Sequence, residues 1–255
     1  MSTLLTRLEV TKLADELGTA EEPLGFLAEA TVADLRELRA LITHARFARH
    51  ERRLARLAGL TKLAPAALAA KIAEHALGAE VSARVATMIE PADAGKLTRH
   101  LSPEFLTDVS VSLDPERSEA VITSLPENLI VQVGQRLMAR GEHLTLARFV
   151  SVYSVEVALK VLEGVGGDDL LTLGMFAEDH ASLDAIVARF PDERVTAIIE
   201  AADASGRQED AIAMLSFLSE PTRARFLAAI GALPATERKR FTKLATDLGY
   251  GELLG

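Results

Sequence analysis

The sequence predicts an all-α protein, and three observations carry that prediction. Aromatic residues are scarce: 255 residues include nine Phe, two Tyr and no Trp, whereas sheets draw on aromatic and β-branched side chains. Ala, Leu, Glu and Arg fill the chain instead, and all four are strong helix formers. Third, Leu77, Ile89, Leu101, Leu113, Leu125 and Leu137 recur every 12 residues, the length of one short helix and a corner. No Asn-Gly or Asp-Gly pair marks a tight hairpin.

The unit behind that spacing has a physical reading. Pro91, Pro103 and Pro115 each follow their apolar residue by two places, and Pro126 comes one place early. In Leu101-Ser102-Pro103-Glu104, Ser102 suits an N-cap, because its oxygen can accept from an orphan amide of the next turn. Pro103 suits the first helical position, where its missing N–H costs nothing. Glu104 complements the positive end of the helix dipole. Asp114-Pro115-Glu116 repeats the device. A proline also drives the residue before it out of α geometry, ending the preceding helix. Helices this short cannot stand alone and must stack on neighbours. Val109–Leu113 alternates like a strand, but it lies between two capped prolines at helix spacing, so a helix is expected there.

Other elements follow in order. Residues 3–17 read as an amphipathic helix with Gly18 as C-cap. Residues 31–62 read as one long helix or a broken pair, with Thr31 as N-cap and Asp34 three places on. That segment is 5 positive and residues 63–255 are 10 negative. The division expected is therefore 1–62, N-terminal helices with a basic long helix, and 63–255, a helical-repeat solenoid. Leu129–Val165 is the most apolar stretch and reads as buried on more than one side. Gly164-Val165-Gly166-Gly167 and Asp203-Ala204-Ser205-Gly206 are breaks. Residues 235–249 suit a polar-faced capping helix. Phe105, Leu106, Val121, Ile122, Leu129, Val133, Phe149, Leu162 and Ile198 are the expected core.

Runs such as Ile89-Glu90-Pro91-Ala92-Asp93, Leu101-Ser102-Pro103-Glu104 and Leu113-Asp114-Pro115-Glu116-Arg117 resemble the intracellular N-terminal domain of MgtE-type magnesium transporters. The armadillo-like middle domain of the flagellar switch protein FliG is similar too. The resemblance covers about residues 63–235. It implies a right-handed α-solenoid, an armadillo-like superhelix of short helices with about 12 residues per helix. It implies neither transport nor magnesium sensing, because no transmembrane part and no nucleotide-sensing CBS modules are read in the chain. A scaffold read by other proteins fits better.

Composition and motifs narrow the chemistry. The absence of Cys excludes disulfides, thiolate nucleophiles and Cys-based metal centres. No run of 18 apolar residues is present, so no transmembrane segment is read. Charges at Arg7, Glu9, Lys12, Asp15 and Glu16 speak against a signal peptide, and a cytoplasmic protein is expected. There is no Gly-x-Ser-x-Gly elbow, His-Glu-x-x-His pair or P-loop. The six histidines include no pair three or four apart, so no two share a helix face. The expectation is no enzyme, no catalytic residue, no metal and no cofactor.

Two candidate sites remain. Arg46, Arg49, Arg53 and Arg56 are spaced to form one basic stripe, a steering patch for an acidic partner protein or for self-association. The negative total charge argues against nucleic acid. The function expected first is a non-enzymatic scaffold or interaction module. The alternative is a carrier of a lipophilic small molecule or cofactor, in an apolar cavity bounded by Phe149, Tyr153 and Val157.

Overall fold

The structure is a computed structural model and describes residues 2–48, 54–56, 58–59 and 64–251. Among the described residues there are helices and no strand. The chain divides into two compact units, one formed by Met1–Arg39 and Leu162–Gly255, the other by Ala40–Val161. That division follows contact; the boundary near Leu63 follows charge, and the two need not coincide.

The second unit carries the 12-residue spacing. After α1 (Ser2–Leu17) and α2 (Val32–Ala48), the chain forms α3 (Ala66–Ile72) and then a π-helical turn over Ala73–Leu77. α4 (Gly78–Ala86), α5 (Pro91–Thr98), α6 (Pro103–Ser112), α7 (Glu119–Ser124), α8 (Glu127–Ala139), α9 (His143–Arg148) and α10 (Val155–Val161) follow. Pro91 and Pro103 occupy first turns. Pro115 opens a hydrogen-bonded turn ahead of α7 rather than the helix itself, and Asp114 accepts there from the Arg117 amide at 3.1 Å. Ser102 caps α6 as its sequence position suggests: its Oγ accepts from the Phe105 amide at 3.2 Å and its hydroxyl donates to Glu74. Val109–Leu113 is helical to Ser112 and extended only at Leu113.

Alternate helices pack together: α3 on α5, α5 on α7, and α4 on α6, α6 on α8, α8 on α10. Exposed ion pairs repeat this step. Glu104 meets Arg136 at 2.6 Å, Asp108 meets Arg140 at 2.5 Å, and Glu127 meets Lys160. Such surface pairs contribute about 0–1 kcal/mol each, so apolar contact sets the packing. Leu129–Val165 is not one all-apolar helix; it is cut into α8, α9 and α10 by Gly141, with φ +74°, and by a turn over 149–154.

The first unit comprises α1, the start of α2, and α11 (Gly167–Phe176), α12 (His180–Val187), α13 (Asp192–Ala204), α14 (Gln208–Leu215), α15 (Glu220–Ala232) and α16 (Ala235–Asp247). Here too α11 packs on α13, α13 on α15 and α14 on α16. Gly18 ends α1 at φ +66°, as expected. Thr31 starts α2, accepting from the Asp34 amide at 3.1 Å and donating to its carboxylate at 2.7 Å. Gly167 is fixed by packing: a Cβ there would strike the Ala197 carbonyl of α13.

A charged cluster is built into this unit. Glu9, 2% exposed, and Lys12, 5% exposed, lie buried on α1. Glu9 pairs with Arg36 at 3.0 Å and Arg39 at 3.4 Å; Glu178 pairs with Arg39 at 2.6 Å and Lys12 at 3.3 Å. A buried charge without partners would cost several kcal/mol, and here the charges answer one another. Of the expected core, Phe105, Leu106, Val121, Ile122, Val133, Phe149 and Ile198 are buried. Leu129 and Leu162 are only half-buried. For Leu129 the reason is the cavity described next.

Candidate functional site

The second unit encloses a partly open apolar cavity of about 230 Å³. Its wall is built from the repeat. Leu77, Ile89, Leu101, Leu113 and Leu125, the corner residues spaced by 12, all line it. The corner geometry explains why. Leu113 and Leu125 take extended backbone angles, with ψ 138° and 152°, immediately after a helix end, so these two corners return to the same side of the stack. Leu137, the sixth of the series, is wholly buried inside α8 and does not reach the cavity.

Mid-helix residues close the sides: Phe105, Leu106 and Val109 from α6, Val121 and Ile122 from α7, Leu129, Ile130 and Val133 from α8. The space itself comes from small residues. Ala69, Ala70, Ala73, Ala86 and Ala94 face it, where longer side chains would fill the interior to normal density. The π-helical turn places Ala73 and Leu77 on this wall. Such insertions in helices often accompany functional sites, and Gly78, at φ +77°, closes the turn by taking a conformation that side chains with a Cβ disfavour.

The polar content is small, and among the described residues no charged side chain lines the wall. Thr98 and Ser110 spend their hydroxyls on backbone carbonyls, of Gly95 at 3.4 Å and Leu106 at 2.8 Å. Ser82 lines the wall, but its Oγ is buried away from the open space. Tyr153 differs. Its ring stacks on Phe149 with centroids 5.6 Å apart and 21° between planes. Burial pushes its phenol well above the ordinary tyrosine value, and no hydrogen bond contributes to that shift. The hydroxyl therefore keeps its proton, and among the described residues no group accepts from it.

Phe149 and Tyr153, read from sequence as cavity residues, thus both stand in the wall. Val157 does not: it is buried in the first turn of α10, where its amide donates to Ser154 Oγ at 3.3 Å, beyond the turn that carries Tyr153. Of the basic stripe, Arg56 is exposed, while Arg49, Arg53 and the Arg46 side chain lie outside the described residues. Arg36 and Arg39, earlier on the same basic segment, are engaged by Glu9 and Glu178. Among the described residues, no three His, Asp or Glu stand together as metal ligands, and no helix is long and apolar enough to cross a membrane.

No family model, no curated protein and no solved structure matches the chain.

Proposed function

We propose that the protein is a non-enzymatic carrier that holds a lipophilic small molecule in the cavity of its second unit. The observation that carries this reading is the cavity's size together with its lining. Apolar side chains around about 230 Å³ of partly open space lack packing partners on one side, and an apolar occupant would supply those contacts. The stacked, capped helices supply a rigid wall, and the right-handed armadillo-like superhelix belongs to the same proposal, supported by the pairing of alternate helices. A cytoplasmic location fits this reading.

A second reading, a scaffold for another protein or a second copy of the chain, is favoured by Leu68 and Ile72. Both stand exposed one turn apart on α3, at 51% and 44%. Titration with naphthalene, a neutral ten-carbon probe, separates the two. The carrier takes it up at one site, shifting the methyl signals of Ile122 and Ile130, and Ala86→Leu abolishes the uptake. If the native protein takes up no naphthalene, the carrier reading falls and the scaffold reading takes its place.

A further inference from the structure

We infer that the ligand is a neutral molecule of about ten carbons carrying one hydrogen-bond acceptor, a carbonyl or ether oxygen, which the Tyr153 hydroxyl receives. This rests on the carrier reading and narrows it to a ligand class.

Size comes from the volume. An apolar protein cavity of about 150 Å³ holds benzene, so 230 Å³ suits a compact molecule about half as large again. Charge comes from the lining. Among the described residues, no Lys, Arg or His stands in the wall to answer a carboxylate or phosphate, and no Asp or Glu to answer an amine. An ion entering would lose its hydration without compensation, a cost of several kcal/mol. Fatty acids and phosphorylated lipids are thereby disfavoured in their charged forms.

The acceptor follows from the polar groups of the wall. Thr98 and Ser110 are already bonded to carbonyls, and Ser82 Oγ is buried away from the space. Tyr153 keeps its proton because burial raises its pKa, and the Phe149 ring holds its orientation. A phenol in this state donates and has no partner among the described residues. A half-buried phenol on an apolar wall gains a hydrogen bond from an acceptor oxygen, so such a ligand is favoured over a plain hydrocarbon, and one offering only donors gains less.

The test compares three probes of one shape on the full chain at pH 7: naphthalene, 1-tetralone with its ring carbonyl, and 1-naphthoate. Binding is followed by the isoleucine methyl signals, for the native protein and for Tyr153→Phe. The expected result is that Tyr153→Phe weakens 1-tetralone about fivefold, the loss of one hydrogen bond, and leaves naphthalene within about twofold. 1-Naphthoate is expected to bind at least about a hundredfold more weakly than 1-tetralone. If naphthalene and 1-tetralone respond alike to Tyr153→Phe, the acceptor assignment is overturned while the carrier reading stands. If 1-naphthoate binds as well as 1-tetralone, the neutral class is overturned. If none of the three binds the native protein, the carrier reading itself is lost.

Discussion

In the first unit Ile199, Phe226 and Phe241 are wholly buried, and a Cβ on Gly174 would stand 2.7 Å from the Met214 sulfur. In the second, Leu101, Leu125 and Leu129 each leave part of their surface on a cavity. In both units several helices pack on the one two places along. A flexible methionine fills the space beside Gly174, whereas several alanines line the cavity of the second unit. A filled interior and a hollow one therefore arise from one helical texture.

The sharpest way to break this comparison is truncation. Phe226→Ala should destabilise by about 3–5 kcal/mol, because it opens a void in a close-packed interior. Leu125→Ala should cost only about 1–2 kcal/mol, since Leu125 already has space on one side and loses contacts on the other alone. Urea unfolding measures both. Equal losses would mean that the wall is as tightly packed as the first unit's core.

Insertion gives the reverse contrast with a smaller effect. Ala202, wholly buried on α13, has no space to grow, and Ala202→Leu should cost about 1–3 kcal/mol. Ala86 faces the cavity, and Ala86→Leu should be neutral or stabilising by up to about 1 kcal/mol. Melting temperatures of the two variants should move in opposite directions. A large loss from Ala86→Leu would show that the space is smaller than its lining suggests.

These contrasts mark what was legible in the sequence. Ser102, Thr31 and Gly18 act within a few residues of themselves, so their capping roles could be read from local order. The 12-residue series could be read as a spacing, and Phe149 and Tyr153 could be named because they lie in the chain's most apolar stretch. That the corner leucines share a cavity could not be read, because it depends on how far alanines hold α3, α4 and α5 from their partners. Val157, from the same apolar stretch, is packed in the first turn of α10. The Glu9 cluster was invisible for another reason. Glu9 and Glu178 lie in distant parts of the chain, and only the fold brings Arg39 between them. The π-helical turn at Ala73–Leu77 leaves no mark in a run of Ala and Leu.

The smallest expected effect is an asymmetry in pH, and it follows from where each unit keeps its ionisable groups. In the first unit, burial draws the Glu178 carboxyl upward, but Lys12 and Arg39 outweigh it and hold the group below its ordinary value. Burial, with Arg36 and Lys12 nearby, lowers His180, whose ring stacks on Phe217 at 4.0 Å. The Ser182 hydroxyl and amide lower Asp179. A group whose pKa is lowered by folding contributes stability above its unfolded value and loses it as pH falls. The loss begins near pH 6.5 for His180 and near 4.3 for Glu178. In the second unit burial raises Tyr153, so its contribution is intact below about pH 10 and is lost as pH rises beyond it. The methyl signals of Ile198 and Ile212 should therefore leave their native positions first in acid, and those of Ile122 and Ile130 first in alkali. Tyr153→Phe, which has no proton to lose, should move the alkaline transition to higher pH and leave the acid one in place. If both sets of signals change together at each extreme, the pH response does not originate in these groups, and the two interiors differ in packing alone.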